Sequence, residues 1–237
     1  MGLTSSFSRL SEYYSRHGLR STVRRAVEAG KRALFAGRMV VFYCDLDDRN
    51  LRPVNVPKSF AIERITSLAE ISAEVLQEIT SFWNPKLANQ NIRERFDRGA
   101  SLWLVKSDDR LAGYGWTLHG QTIAEYYFPL GQNDVQLFDF YVFPKFRGRA
   151  LHWLLTGYIL QALTAEGRSR AFADTGEWNQ AQLASFKMTP FRCLGLVRTF
   201  TAFGRVFTWW VVDLPADLKQ PRPAQSERAI RAVSTNE

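Results

Sequence analysis

DFYVFPKFRGRALHWLL, residues 139–155, carries an apolar strand through a short basic turn into the first turn of an amphipathic helix. On the two-residue strand period, Phe138, Phe140 and Val142 share one face and Asp139, Tyr141 and Phe143 the other. Pro144 has no N–H to donate and ends the ladder. Leu151, Leu154, Leu155, Tyr158, Ile159, Ala162 and Leu163 then recur at helical spacing, and Gly167 stands where a helix C-terminal glycine belongs. The turn therefore opens a helix. Its first amides lack intrahelical partners and sit at the positive end of the helix dipole, so they can bind phosphate oxygens. Lys145, Arg147 and Arg149 add three cations within five residues, and arginine can grip phosphate with two parallel hydrogen bonds.

The segment resembles the acyl-CoA-binding motif of the GNAT superfamily of N-acetyltransferases: an apolar strand, a proline, then R/Q-x-x-G-x-G/A at a helix start. The six positions here are Arg147, Gly148, Arg149, Ala150, Leu151 and His152, with Ala in place of the fourth-position Gly and His in place of a small sixth residue. Further on, the family has a strand, an Asn, an aromatic residue seven positions later and a Phe five beyond that. Ser169 to Thr175, Asn179, Phe186 and Phe191 reproduce the spacing without a gap. Two departures stand out. Phe186 occupies the place where many relatives carry a tyrosine that protonates the leaving thiolate, and phenylalanine has no proton to give. Pro190 replaces the usual glycine before Phe191.

The resemblance covers residues 60–213 and implies an α+β fold, a mixed and splayed central sheet flanked by helices. The implied co-substrate is acetyl-CoA or a related acyl-CoA. Arg147, Gly148, Arg149, Ala150, Leu151 and His152 would hold its pyrophosphate, and the backbone of Phe140, Tyr141 and Val142 would pair with pantetheine as with another strand. Asn179 would bond the pantetheine arm or cap the next helix. A neutral amine would attack the thioester directly, with a backbone N–H near Val142 stabilising the oxyanion. The amine must lose a proton, and Asp139, Asp174 and Glu177 are the candidate bases. Tyr141 is the candidate for the missing thiolate acid. Each has a plainer role open to it: an ion pair for Asp139, capping or solvent exposure for Asp174 and Glu177, core packing for Tyr141. Trp83, Trp116, Tyr126, Tyr127, Phe128 and Trp178 are candidates for lining an acceptor pocket.

With 237 residues and 46% hydrophobic content, the chain can bury one substantial core. Its apolar runs are far shorter than the roughly 20 residues of a membrane span. The first residues lack the apolar centre of a secretory signal, and Cys44 and Cys193 are too few for a disulfide framework, so a cytoplasmic protein is expected. The net charge is +8, and residues 1–40 hold eight basic against two acidic residues. A basic amphipathic helix over Leu19–Ala36 would pack on the domain, or dock on the inner face of an anionic membrane or on an acidic partner. Nucleic-acid motifs are absent, the three histidines have no metal-ligand spacing, and Gly113-x-Gly115 does not continue into a dinucleotide fingerprint.

The expected organisation is a basic helix, strand and connector over 1–58, the acyltransferase-like domain over 59–214, and a mobile tail over 215–237. Within the domain, a strand at Phe60–Ile65 leads to helices from Ser67 and over Pro85–Arg98, then strands at Ser101–Lys106, Leu111–Leu118 and near Thr122–Phe128. A hairpin around Gly204 follows the Asn179 helix. The expected activity is transfer of a short acyl group to a small primary amine, on a cell-surface sugar, lipid or amino-acid precursor. The alternative is a catalytically weak acyl-CoA-binding or surface-binding protein of the same fold.

Overall fold

A computed structural model describes residues 22, 23, 27, 38–46, 51, 53–81, 85–124, 126–202 and 205–211. Eight strands form one sheet: β1 (Arg38–Asp45), β2 (Phe60–Ile65), β3 (Ser101–Ser107), β4 (Arg110–His119), β5 (Asp134–Val142), β6 (Arg170–Gly176), β7 (Arg192–Ala202) and β8 (Arg205–Val211). Among the described residues from Arg38 onward, four α-helices flank it, α1 (Ala73–Ser81), α2 (Pro85–Asp97), α3 (Leu151–Ala165) and α4 (Gln180–Phe186). The spatial order is β2-β3-β4-β5-β6-β1-β7-β8. β5 and β6 run parallel, and every other neighbouring pair is antiparallel. The mixed sheet with flanking helices is the expected fold class.

One placement departs from the expected organisation. β1 was assigned to a segment ahead of the domain, yet it lies between β6 and β7, with Met39 opposite Gly176 and Val197. A boundary at residue 58 would cut out a central strand. The reason lies in its side chains, which are apolar on both faces, as an interior strand requires. Val40, Phe42 and Cys44 join the core under α3 and α4, while Val41 and Tyr43 join the cluster on the opposite face. Phe42 stacks on Phe186 at 4.2 Å between ring centroids. Both cysteines are buried, and they form no disulfide with each other.

Local differences also have causes. The helix expected from Ser67 is a 3-10 turn at Leu68–Glu70 followed by α1. The Glu70 carboxylate accepts from the Thr66 amide and hydroxyl and from the Ser67 hydroxyl, closing the first turn on itself, and Ser72 Oγ accepts from the Val75 amide to start α1 afresh. No strand forms near Thr122–Phe128. Over Val135–Leu137 both edges of β5 are taken by β4 and β6, and Tyr126, Tyr127 and Phe128 pack over the face of β6, β1 and β7. The Leu19–Ala36 helix lies outside the described residues apart from Thr22, Val23 and Val27, which are helical. The 215–237 tail lies outside them too.

The strict alternation expected through β5 fails at Asp139, whose φ of 49° marks a β-bulge. Tyr114 pairs with Tyr141 and Trp116 with Phe138, so Asp139 and Phe140 together oppose Gly115. Phe138 consequently shares a cluster with Tyr141 and Phe143, while Phe140 and Val142 face α3 with Leu137. The glycines of β4 make this approach possible. A Cβ on Gly115 would come within 2.7 Å of the Phe140 ring, and one on Gly113 within 2.7 Å of the Tyr141 carbonyl oxygen.

Candidate active site

β5 and β6 pair only from Asp134↔Arg170 to Leu137↔Ala173. Their closed end is stapled by Arg170, which donates Nε–H and Nη2–H to Asp134 at 2.9 and 2.8 Å. Beyond Leu137 and Ala173 the strands part. β5 keeps its partner β4, β6 keeps β1, and residues 138–142 and 174–176 face an opening. Directly above the β5 side of that opening lies the 147–152 turn, exposed at Arg147, Gly148, Arg149 and Ala150.

The backbone of the turn is preformed. Gly148 has φ 79°, and Ala150, the residue preceding α3, has φ 54° and ψ 23°. The first amide to find a helical acceptor is that of Leu154, bonded to the Ala150 carbonyl at 3.0 Å. The amides of residues 148–153 precede it and point out of the helix end, the arrangement that suits an anion. Arg147 is held beside them by donating Nε–H to the Val142 carbonyl at 3.2 Å and by lying over the Tyr141 ring. Arg149 rests on Phe146. Alanine in the left-handed region costs about 1 kcal/mol or more, so Ala150→Gly is expected to raise stability by about 0.5–1 kcal/mol in thermal melts.

His152 turns away from the anion row. Its Nε2 lies 2.9 Å from Gln182 Nε2 and its Nδ1 3.0 Å from Ser185 Oγ, so both ring nitrogens are engaged with α4. The ring packs between Phe140 and Phe186. Burial pushes its pKa down to about 4, leaving a neutral imidazole that fastens α3 to α4. The ring is thus engaged with α4 and away from the anion row, while the His152 amide stays within that row. Asn179 caps α4, its Oδ1 accepting from the Gln182 amide at 3.3 Å. Phe186 is 4% exposed, in the core between Phe42, His152 and Phe191.

Within the opening lies a cavity of about 30 Å³, lined by Asp139, Phe140, His152, Thr156, Asp174 and Phe186 among others. The Thr156 hydroxyl is buried there without a hydrogen-bond partner. A buried orphan hydroxyl and a row of unpaired amides are the features a pantetheine arm and its pyrophosphate would satisfy. The volume is that of about one water molecule.

The candidate carboxylates occupy different environments. Asp139 at the bulge is ion-paired with Arg95 of α2 at 2.5 Å, and the Arg95 guanidinium lies over Trp116 and Phe138. Glu177 takes Arg38 of β1 in a two-pronged pair at 2.7 and 2.9 Å and, through its own amide, bonds the Arg38 carbonyl. It locks β1 to the end of β6. Asp174 alone among the three is paired with no cationic side chain among the described residues. Its Oδ2 accepts from the Tyr127 hydroxyl at 3.0 Å. Burial raises its pKa above the ordinary carboxylate value, and the Tyr127 bond offsets part of that rise. Burial and the adjacent carboxylate push the Tyr127 phenol up as well, so it stays a donor.

Of the aromatic residues considered for an acceptor pocket, Tyr127 reaches Asp174, whereas Trp116 is fully buried and Phe128 packs on Phe172 and Trp210. Tyr141 is walled by Tyr114, Phe143 and Arg147. Trp83 lies outside the described residues. Arg95, Arg38, Gln182 and Ser185 were not foreseen as partners of the site. Their distance in sequence from the groups they hold left no local signal.

A family model described as the acetyltransferase (GNAT) family matches residues 65–189, just over half of the chain. Solved structures with similarity include a GNAT-family protein from Novosphingobium aromaticivorans, 15% identical, covering 66% of this chain and 60% of that one at a TM-score of 0.44. A GNAT acetyltransferase from Colwellia psychrerythraea is 13% identical over 66% of this chain and 52% of that one, TM-score 0.46. A Bacillus subtilis acetyltransferase in complex with CoA is 14% identical over 60% of this chain and 78% of that one, TM-score 0.41. The chain thus spans less than two thirds of the first two. A search of curated protein sequences finds no match.

Proposed function

The chain belongs to the GNAT acetyltransferase family, and from that premise we propose that it transfers a short acyl group from acyl-CoA to a primary amine, with Asp174 as the base. The observation that carries this reading is the parting of β5 and β6 beneath a turn whose amides are unpaired. The acyl-CoA brings the activated acyl carbonyl. The amides of residues 148–153 hold the diphosphate, with Arg147 and Arg149 adding charge. Thr156 offers a hydroxyl to the arm between the strands. Asp174 takes the proton that the amine sheds as its nitrogen bonds to the acyl carbon, the carbon–sulfur bond then breaks to release CoA as a thiolate that takes its proton from solvent, and Tyr127 keeps the Asp174 carboxylate oriented and partly ionised. The acceptor is placed on the Asp174 and Tyr127 side of the sheet, in the class of amine-bearing sugar, lipid or amino-acid precursors.

Reversing charge at Arg147 and Arg149 together is expected to weaken CoA binding by about 1–3 kcal/mol, the scale of charged hydrogen bonds. Calorimetry on the folded double variant checks this, and unchanged affinity would sink the cradle.

A second reading, acyl-CoA binding with little turnover, is favoured by one specific feature. Phe186 supplies no proton for the leaving thiolate, and His152 narrows the slot beside it. Calorimetry with CoA followed by thiol-release assays over a panel of primary amines separates the two readings. Binding with no release from any amine selects the second.

A further inference from the structure

Along the outer face of α3 runs a groove of about 590 Å³ that takes no part in the site described above. Trp153, Gly157 and Leu160 form its floor, Pro53 and Val54 one wall, and Met188 to Pro190, after α4, the other. The Val54 amide donates to Gln161 Oε1 at 3.3 Å, which fixes that wall against the helix. Trp153 is 39% exposed and Met188 61%, so two large apolar side chains meet solvent at the groove.

Position decides what the groove can hold. Trp153 is the third residue of α3, and a helical side chain leans back toward its helix N-terminus. The indole therefore covers the surface next to the amides of residues 148–153. CoA carries its diphosphate between two unlike ends, a flexible pantetheine arm and an adenosine whose ribose bears a 3′-phosphate and whose purine is flat. If the arm enters between β5 and β6, the nucleoside must leave the cradle away from the sheet. The apolar surface adjoining the cradle on that side is the Trp153 end of the groove.

The geometry points to Trp153, with Met188 and Pro190 beside it, as the seat of the adenosine end of CoA, the purine stacking on the indole. This rests on the acyl-CoA reading above and adds a subsite to it. Base-on-aromatic stacking is sequence-tolerant in chemistry and strong enough to register on truncation.

The test is calorimetry with two probes, CoA and 4′-phosphopantetheine, which shares the arm and one phosphate but lacks the nucleoside. Trp153→Ala is expected to weaken CoA binding about tenfold and to leave 4′-phosphopantetheine within about twofold of wild type. Trp153→Phe, which keeps a stacking ring, is expected to recover most of the CoA affinity and serves as the folding control. Equal CoA affinity in wild type and Trp153→Ala overturns the subsite, as does a parallel loss of both probes. If the wild-type protein binds neither probe, the acyl-CoA reading falls and takes the subsite with it. Wild-type binding of both probes with no response to Trp153→Ala removes the subsite alone.

Discussion

Asp174→Asn is expected to lower amine-dependent thiol release by about 10²–10⁴-fold, the usual contribution of a positioned general base, while CoA affinity stays near wild type. The variant should also be more stable than the parent at neutral pH. The two effects share one cause. Burial holds the Asp174 pKa above its unfolded value, so the folded state binds the proton more tightly than the unfolded chain does. The resulting stabilisation is full below the ordinary carboxylate pKa and is lost as pH rises through the raised one. Asparagine cannot ionise, keeps an oxygen for the Tyr127 hydroxyl, and escapes that loss. In the wild type the acidic limb of kcat/KM should fall above the ordinary carboxylate range, and Tyr127→Phe should move it further upward by removing a bond that favours the ionised form. Melts and steady-state kinetics on the two variants check this. Full activity in Asp174→Asn would leave Asp139, released from Arg95, as the base to examine.

Phe42→Ala is expected to cost about 3–5 kcal/mol of folding stability, the range for truncating a buried phenylalanine. Phe42 is 4% exposed and stacks on Phe186, and its strand holds β6 on one side and β7 on the other. Denaturant unfolding monitored by circular dichroism gives the number. A chain starting at residue 59 goes further, since it leaves facing edges of β6 and β7 bare and removes the partner of Glu177. That truncation should fail to yield a folded domain. A cooperative melt near the wild-type temperature would show that β7 closes onto β6 unaided.

Much of the site was legible because its parts are local. A strand, a proline, a basic turn and a helical repeat lie within thirty residues, and residues 139–191 fold as that order suggests. β2 matches its expected bounds, and Gly99 and Gly167 end their helices at positive φ. What could not be read depends on partners remote in sequence. Nothing local to MVVFYCD says which strands it will lie between, and apolar residues on both its faces signal only an interior place. The bulge at Asp139 is set by the register against β4, and the aromatic run at 126–128 packs over the face of β6, β1 and β7, which lie remote from it in sequence. Asp139, Asp174 and Glu177 look alike in sequence; Arg95, Tyr127 and Arg38, between 44 and 139 residues away, set them apart.

Because β1 runs antiparallel to β6, Arg38 is delivered to the end where β5 and β6 separate. On the acyl-transfer reading proposed above, the first residue of β1 thus stands at the end of the sheet where the amine would meet the thioester.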